Sequence, residues 1–257
     1  MKRRVWNLQK DNIYKLLLKT NFMGLVETYK KSFDLVKSNI LGSLIYGIIF
    51  YILVGLSVLV PIIGAILFSY LYPRLTKWYY TKVTGDNINP DYKTAFLSLL
   101  IPNLLASIGI TIILLVLISI LIQLGLSFTN ILNISNLQQS LSLGLSNFNI
   151  PPYVLLGIFI GIIIMIIGGI MWILLLYSIY GSILGKVNKL SIHFDKSLIL
   201  FAYWLVFYIV TSIILLIIGG ILSLISHLLG SIIITILNII FVNPASNLIL
   251  ILKAEEF

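Results

Sequence analysis

Three long stretches of this sequence contain no charged side chain, and this pattern constrains the fold more than any other feature. They run from Ser38 to Pro73, from Thr94 to Gly185 and from Ser197 to Leu252. A charge inside a bilayer is costly, and one helical span needs about 20 apolar residues at about 1.5 Å each. Each stretch has room for two crossings. The pattern therefore predicts pairs of helices that leave one side of a membrane and return to it.

The composition agrees with a membrane protein and excludes several other classes. Hydrophobic residues make up 60% of the 257 positions and charged residues only 10%, whereas soluble domains carry about 25% charged residues. The net charge of +9 is typical of a basic cytoplasmic face that contacts anionic lipid of the inner leaflet. We do not expect sequence-specific nucleic-acid binding. Because the chain has no cysteine, disulfides, thiol catalysis and cysteine-ligated metals are excluded.

We predict an all-α, polytopic transmembrane helical bundle in the plasma membrane of a prokaryote, with both termini cytoplasmic. Inner loops at 81–93 and 186–196 and outer turns at 60–64 and near His227 and Gly230 connect the spans. This assignment places all 17 basic and 8 acidic side chains on the cytoplasmic side. The about six predicted spans lie at 39–59, 62–80, 101–124, 153–178, 197–221 and 231–252.

The predicted domains are a cytoplasmic segment at 1–38, the six-helix domain at 39–252 and a cytoplasmic tail at 253–257. The first segment is a basic tail followed by an amphipathic interfacial helix, and translation could start at Met1 or at Met23. We expect a second amphipathic helix on the outer surface, in the loop at about 126–152. The apolar stripe of the first helix consists of Leu25, Val26, Tyr29, Phe33 and Val36.

An acid, a lysine and a hydroxyl side chain precede each outward-going span, at 34–38, 91–94 and 195–197. Interface physics explains this pattern, because acids and hydroxyls favour helix N-termini and lysine reaches the headgroups. Three tandem helical hairpins derived from one ancestral unit would also produce it.

The first third of the chain carries a set of weak motifs. These are the lead-in Phe33 to Asn39, the apolar turn Pro61 to Gly64, the segment Tyr70 to Arg74, and Gly85-Asp86. This part resembles the membrane domain found beside some glycerophosphodiester phosphodiesterases, and related uncharacterised prokaryotic membrane families. The resemblance implies a polytopic membrane fold, and it implies no catalytic residue because the soluble catalytic domain of the phosphodiesterase is not matched.

Two proline–asparagine pairs are candidates for a cavity. Pro102-Asn103 and Asn243-Pro244 each lie about nine residues inside the nearest lysine, or about 14 Å at helical rise. Kinks at matched depth could frame an inward-facing cavity, as broken helices do in transporters, or they could be independent. Asn243-Pro244-Ala245 also matches the aquaporin tripeptide, but aquaporins carry it twice, and a single copy favours a simple proline kink.

Two further groups of residues have a predicted role. Six side chains of the inner face could contact lipid headgroups or a partner, although a solvated loop would explain them too: Arg74, Lys77, Lys186, Lys189, His193 and Lys196. Gly157, Gly161 and Gly168 give the fourth span a smooth face, which favours close helix packing within the bundle over a dimer interface.

The sequence contains no catalytic constellation of nucleophile, base and orienting group, so we predict that the protein is not an enzyme and needs no cofactor or metal. The leading hypothesis is a non-catalytic integral membrane subunit of a transport or membrane-organising complex, with other membrane or cytoplasmic subunits as partners and oligomerisation open. The alternative is a pore or permease, including a channel component of a machine that translocates macromolecules such as DNA. A lipid-modifying enzyme is the third and weakest.

Overall fold

The computed structural model describes residues 24–123, 151–223 and 226–257, and the regular structure of this part of the chain is helical throughout. A one-residue turn at Asn39 separates the first two helices. We label the elements in chain order: α1 (24–38), α2 (Ile40–Leu59), α3 (Pro61–Thr84), α4 (Tyr92–Gln123), α5 (Pro152–Ile183), α6 (Phe194–Ser223), α7 (His227–Leu237), a π-helical turn (Asn238–Val242) and α8 (Asn243–Glu255).

Five helical segments of the described chain are long and apolar enough to cross a membrane, which confirms an all-helical, multi-pass membrane protein. The 24-residue helix α3 is not among the five, because Arg74, Lys77 and Lys82 in its second half make it less apolar. The five segments are Ile40–Leu59, Tyr92–Ile120, Pro152–Ile183, Phe194–Ser223 and His227–Glu255.

Most helices are longer than the predicted spans. The third begins at Tyr92 instead of 101, the fourth ends at Ile183 instead of 178, and the fifth covers Phe194–Ser223 instead of 197–221. The two loops that were predicted to be inner accordingly shrink to 85–91 and 184–193. The predicted limits were set by apolar sequence, whereas backbone hydrogen bonding continues a helix into polar residues beyond the hydrocarbon.

Both predicted outer turns are shorter than expected. Pro61 is the first residue of α3, so Ile62 to Gly64 are helical and only Val60 bridges α2 and α3. A proline fits the first helical position, where its missing N–H has no partner to lose. His227 begins α7 and Gly230 lies inside it, with the Ser226 side chain accepting a hydrogen bond from the Leu229 amide at the helix start.

Three predictions lie outside the described residues. They are the basic tail at 1–22, the start at Met1 or Met23, and the outer amphipathic helix within 126–152.

The predicted sixth span is divided by the π-helical turn. The Asn243 amide bonds to the Asn238 carbonyl five residues earlier, and Pro244 follows directly. Proline lacks an N–H and its ring crowds the carbonyl four residues back, so one wider turn accommodates it without ending the helix. The predicted kink at Asn243-Pro244 therefore takes the form of a π-helical turn.

The chain forms two compact units. Among the described residues, the larger contains positions 24–51, 72–95, 174–223 and 226–257, and the smaller contains positions 52–71, 96–123 and 151–173. No charged residue occurs in the sequence of the smaller unit, so every charged side chain that the structure describes belongs to the larger.

Glycines bring α4 and α5 together within the smaller unit. A Cβ on Gly161 would lie 2.6 Å from the Ile113 side chain, and one on Gly157 would lie 2.6 Å from Val116. A Cβ on Gly168 would meet the backbone of α4 at Ala106 and Pro102. The three predicted packing glycines thus all face α4, which is the use that membrane helices make of small residues.

Helix α8 is the central element of the larger unit. Every residue from Asn243 to Leu252 is buried, as is Ala254. A helix enclosed on all sides needs neighbours around its full circumference. It therefore lies inside the protein, whereas α2, α5 and α6 expose many large apolar side chains suited to lipid.

Helix α1 packs its apolar stripe against α6 of the larger unit, to which it also belongs. The Tyr29 ring meets Phe207 edge-on at 5.7 Å, and its hydroxyl donates to the Tyr203 carbonyl at 2.6 Å. Burial raises the pKa of the Tyr29 phenol, so that it stays protonated and remains a donor. Val36 is fully buried, while Val26 of the predicted stripe is half exposed.

The three copies of the acid–lysine–hydroxyl pattern occupy different structural positions. Asp34 lies inside α1. Asp91 caps α4 by accepting from the Lys93 and Thr94 amides and the Thr94 hydroxyl. Ser197 lies in the first turn of α6 and donates to the Leu174 carbonyl of α5. The local interface role therefore differs from copy to copy.

We expect Gly168→Ala to lower the free energy of unfolding by about 1–3 kcal/mol, because its Cβ would lie 2.8 Å from the Ala106 nitrogen and 3.0 Å from the Pro102 oxygen. Gly169→Ala is the matched control, since nothing lies within 4 Å of that position. It should leave stability unchanged or raise it by up to about 1 kcal/mol. Unfolding in detergent measures both, and equal effects would contradict the packing described for α4 and α5.

Candidate functional site

The charged segments that the structure describes in the larger unit meet at one end of it. The Asn39 amide after α1 donates to the Lys82 carbonyl of α3 at 3.3 Å, and Tyr80 donates to the Glu255 carboxylate at 3.1 Å. The Asp91 amide before α4 donates to the Ser182 carbonyl of α5 at 2.8 Å. These bonds bring the ends of α1, α3, α5 and α8 and the start of α4 together.

A basic pocket of about 510 Å³ lies at this end. One face of α3 supplies most of its wall, because positions 74, 77, 78, 81 and 82 follow helical spacing. The opposite face of the same helix carries Tyr72, Tyr79 and Tyr80, all of which are buried. The basic pocket is lined by Arg74, Lys77, Trp78, Thr81, Lys82, Asn87 and Tyr92.

The basic pocket joins cationic and aromatic groups without an acid in its wall. The Arg74 guanidinium lies over the Tyr92 ring, 4.7 Å from its centroid, and Trp78 is 39% exposed. Neither Lys77 nor Lys82 has an ion-pair partner within the described residues. Two acids are near these residues along the chain, Asp86, which is exposed, and Asp91, which caps α4. The arrangement can attract and hold an anionic group.

The other predicted headgroup contacts are only partly available. Lys186 donates to the Glu255 carbonyl, and the Lys196 ammonium lies 4.4 Å from the Tyr177 ring centroid and 3.5 Å from the Phe257 carbonyl oxygen. These two lysines therefore hold the C-terminal segment.

The remaining two members of that predicted set lie in the loop between α5 and α6. His193 hydrogen-bonds to Ser191 at 2.7 Å and meets the Tyr177 ring edge-on. Lys189 is exposed. Arg74 and Lys77 are thus the two predicted contacts that share a pocket.

A second pocket, of about 350 Å³, lies between α1 and the C-terminal segment. Glu27 and Lys31 of α1 line it together with Leu252, Glu255 and Glu256. Its acids outnumber its base. It brings α1 and the C-terminal segment side by side.

The polar groups around α8 form a buried network of tyrosine and asparagine. Tyr72 of α3 donates to Asn247 Oδ1 at 2.9 Å, and its oxygen accepts from the Tyr180 hydroxyl of α5 at 2.7 Å. Tyr208 of α6 donates to Asn243 Oδ1 at 3.1 Å. Asn247 Nδ2 is buried without an acceptor in the described part of the chain. The network joins four helices through neutral groups, which cost less to bury than charges.

The two proline–asparagine pairs have separate local roles. Pro102 lies within the continuous helix α4, and Asn103 Nδ2 donates to Ser69 Oγ of α3 at 3.1 Å inside the smaller unit. Asn243 belongs to the network of the larger unit, and Pro244 is buried beside it. A cavity framed by both pairs remains an expectation from the sequence.

Several residues of these sites escaped the sequence analysis. The pocket members Lys82, Asn87 and Tyr92 were assigned only to an interface or loop, although the spacing of 74, 77, 78 and 81 could have identified a shared helical face. The Tyr72–Asn247 bond joins positions 175 residues apart, and no local spacing signals it.

No group of three or more His, Asp or Glu side chains suited to a metal occurs in the part of the chain that the structure describes.

We expect Tyr72→Phe to destabilise the protein by about 1–3 kcal/mol, because it removes a buried hydroxyl bonded to both Asn247 and Tyr180. Tyr51→Phe, at a ring that is 40% exposed, should have a much smaller effect. In an Asn247→Leu background the cost of Tyr72→Phe should fall, since one partner is already gone. Thermal unfolding in detergent measures the stability of the wild type, the two single variants and the double variant. Strictly additive effects of the two substitutions would contradict the bond.

Comparison of the chain with protein-family models, curated proteins and solved structures finds no match.

Proposed function

We propose that this protein is a non-catalytic integral membrane subunit of a transport or membrane-organising complex. It crosses the plasma membrane six times, with both termini in the cytoplasm, and presents one basic face to the anionic inner leaflet and to partner subunits. The single observation that carries the proposal is the meeting of all charged segments described in the larger unit at one end, around the buried helix α8.

Helix α3 adds the crossing that raises the five candidate spans to six. Its contacts with α2 support this assignment. Ser43, near the start of α2, hydrogen-bonds to Tyr79, near the end of α3, at 2.7 Å. Tyr46 stacks on Tyr79 with ring centroids 4.6 Å apart. Helix α3 therefore runs back along α2 to the end from which α2 started. Because α2 is apolar enough to span a membrane, a partner that runs its length returns to the same side.

The pocket between α1 and the C-terminal segment supports placing the two termini on the same side. Glu27 and Glu255 both line this pocket, and this closeness favours one side of the bilayer for the two ends of the described chain. An even number of crossings satisfies this condition. The excess of basic residues at this end supports its cytoplasmic placement.

The buried network favours a scaffold function and argues against a water-filled pore. Its tyrosine hydroxyls and asparagine oxygens bond to each other within packed helices. A water-filled pore would instead need polar groups aimed at a continuous lumen. The basic face then provides the attachment surface, because lysine and arginine near an anionic leaflet contribute about 1 kcal/mol each.

Single cysteines test the topology without background labelling, because the chain has none of its own. In intact cells, an impermeant thiol reagent should label Ser226→Cys between α6 and α7. Asp86→Cys and Ser191→Cys, in the two predicted inner loops, should react only after permeabilisation. If α3 did not cross, the pattern would be reversed, with positions 86 and 191 labelled from outside and position 226 protected.

The pore or permease remains the second candidate, favoured by the cavity of about 260 Å³ beside the π-helical turn, which Tyr208, Thr211 and Asn238 help to line. Ion and solute flux into liposomes that contain only this purified protein separates the two functions. We expect flux no higher than in protein-free liposomes, and co-purification of other subunits from native membranes. Flux that Asn238→Leu abolishes would refute the scaffold and establish the pore.

A further inference from the structure

We infer that the basic pocket is a binding site for an anionic phospholipid, with the headgroup phosphate between Arg74, Lys77 and Lys82 and the interfacial part of the lipid against Trp78 and Tyr92. The inference deepens the proposed function and rests on its placement of this end of α3 at the inner membrane surface. It goes further by naming a ligand class and a defined site in place of a general basic face.

The volume and shape of the basic pocket suit a headgroup. A cavity of about 510 Å³ lies within the range of small-molecule sites, which is about 300–1,000 Å³. Arg74, Lys77 and Thr81 succeed one another at helical spacing, so their side chains reach the pocket at successive heights along α3. A phosphodiester with its glycerol is elongated and can contact several such levels.

The charges favour a phosphate-bearing ligand. Three cations line the pocket, and the acids nearby in sequence, Asp86 and Asp91, do not. The Arg74 guanidinium lies over the Tyr92 ring, 4.7 Å from its centroid, and this cation–π contact holds it at the pocket wall. A guanidinium held in this way presents the fork geometry that binds phosphate oxygens in pairs.

The aromatic groups favour a lipid over a free phosphate. Trp78 is 39% exposed although it is large and apolar, and tryptophan and tyrosine at a membrane interface sit at the level of the headgroups. A soluble phosphate would gain nothing from these rings. An anionic phospholipid would bury part of them while its phosphate binds the cations.

The depth of the pocket fits the membrane interface. Arg74 and Lys82 are eight residues apart, or about 12 Å along α3, and the headgroup layer on each side of a bilayer is about 5–8 Å thick. Arg74 can therefore reach the phosphate level from the hydrocarbon side, while Lys82 approaches it from the water side. Asn87, in the loop after α3, lines the pocket as well.

Two double variants of equal charge test the inference. Lys77→Gln with Lys82→Gln removes two cations from the pocket, and Lys30→Gln with Lys37→Gln removes two exposed cations from α1, outside it. Binding of phosphatidylglycerol to the full chain in neutral detergent is measured by native mass spectrometry, with phosphatidylcholine as the neutral-headgroup reference. We expect the pocket variant to bind phosphatidylglycerol about tenfold more weakly than the wild type, and the α1 variant to bind within about twofold of it.

A third variant tests whether the geometry of Arg74 matters beyond its charge. A soluble competitor tests whether the site binds lipid in preference to free phosphate. Arg74→Lys keeps the charge but loses the planar fork, and it should also weaken phosphatidylglycerol binding. Inorganic phosphate should compete poorly. Equal phosphatidylglycerol binding by the wild type and the pocket variants would overturn the inference, and so would inorganic phosphate that displaces the lipid at similar concentration, since the site would then take free phosphate. Unchanged melting in phosphatidylcholine nanodiscs shows that each variant is folded.

This experiment can fail independently of the proposed topology. Cysteine labelling at positions 86, 191 and 226 reports the side of the membrane and does not depend on lipid binding. If that labelling agrees with six spans while the pocket variants bind phosphatidylglycerol normally, the headgroup site is refuted and the topology stands.

Discussion

The larger unit depends on one constraint, which is that α8 must be enclosed by other helices. The hydrogen bond from Tyr72 to Asn247 is one of the contacts that enclose it. A helix buried from Asn243 to Leu252 cannot turn any face to lipid or water. Its polar side chains must therefore find partners on the surrounding helices, because unpaired polar groups in such an interior cost several kcal/mol. Tyr72 and Tyr208 supply partners to Asn247 and Asn243 from two other helices, and Tyr180 of a third helix bonds to Tyr72. The rings of the three tyrosines fill the space between the helices.

The smaller unit solves the same packing problem by a different means. Its sequence holds no charge, and a pair of helices in lipid gains little from the hydrophobic effect, since lipid tails are as apolar as leucine. Instead of the hydrophobic effect, close backbone contacts hold the two helices together, at Gly161 opposite Gly109 and at Gly168 opposite Ala106. A hydrogen bond from Asn103 of α4 to Ser69 of α3 adds a directional contact to the packing. The protein thus combines one unit held by aromatic and amide groups with another held by glycine contacts.

The sequence alone indicated the fold class and the packing face of α5, because both depend on local regularities. Missing charges and glycine spacing repeat within one helix, so they can be read without knowing the tertiary structure. The central position of α8 was not predictable in the same way. Its residues 248–252 are as apolar as those of any lipid-facing helix, and only contacts from distant helices distinguish a buried segment from an exposed one. The π-helical turn was also missed, since Asn243-Pro244 signals a disturbance of the helix and not its form.

Helix α3, which lines the basic pocket, shows why the mean hydropathy of a helix can differ from the character of each of its faces. Its basic residues lower its apolar character below that of the five segments that are apolar enough to span a membrane, yet the same helix contributes buried Tyr72 and Tyr79 on its other face. A two-faced helix of this kind averages to an intermediate hydropathy, which describes neither face. One face packs into the protein, and the other lines the basic pocket with Arg74, Lys77 and Lys82. A single helix can therefore anchor the interior of the larger unit and line the basic pocket, for which we propose an anionic phospholipid.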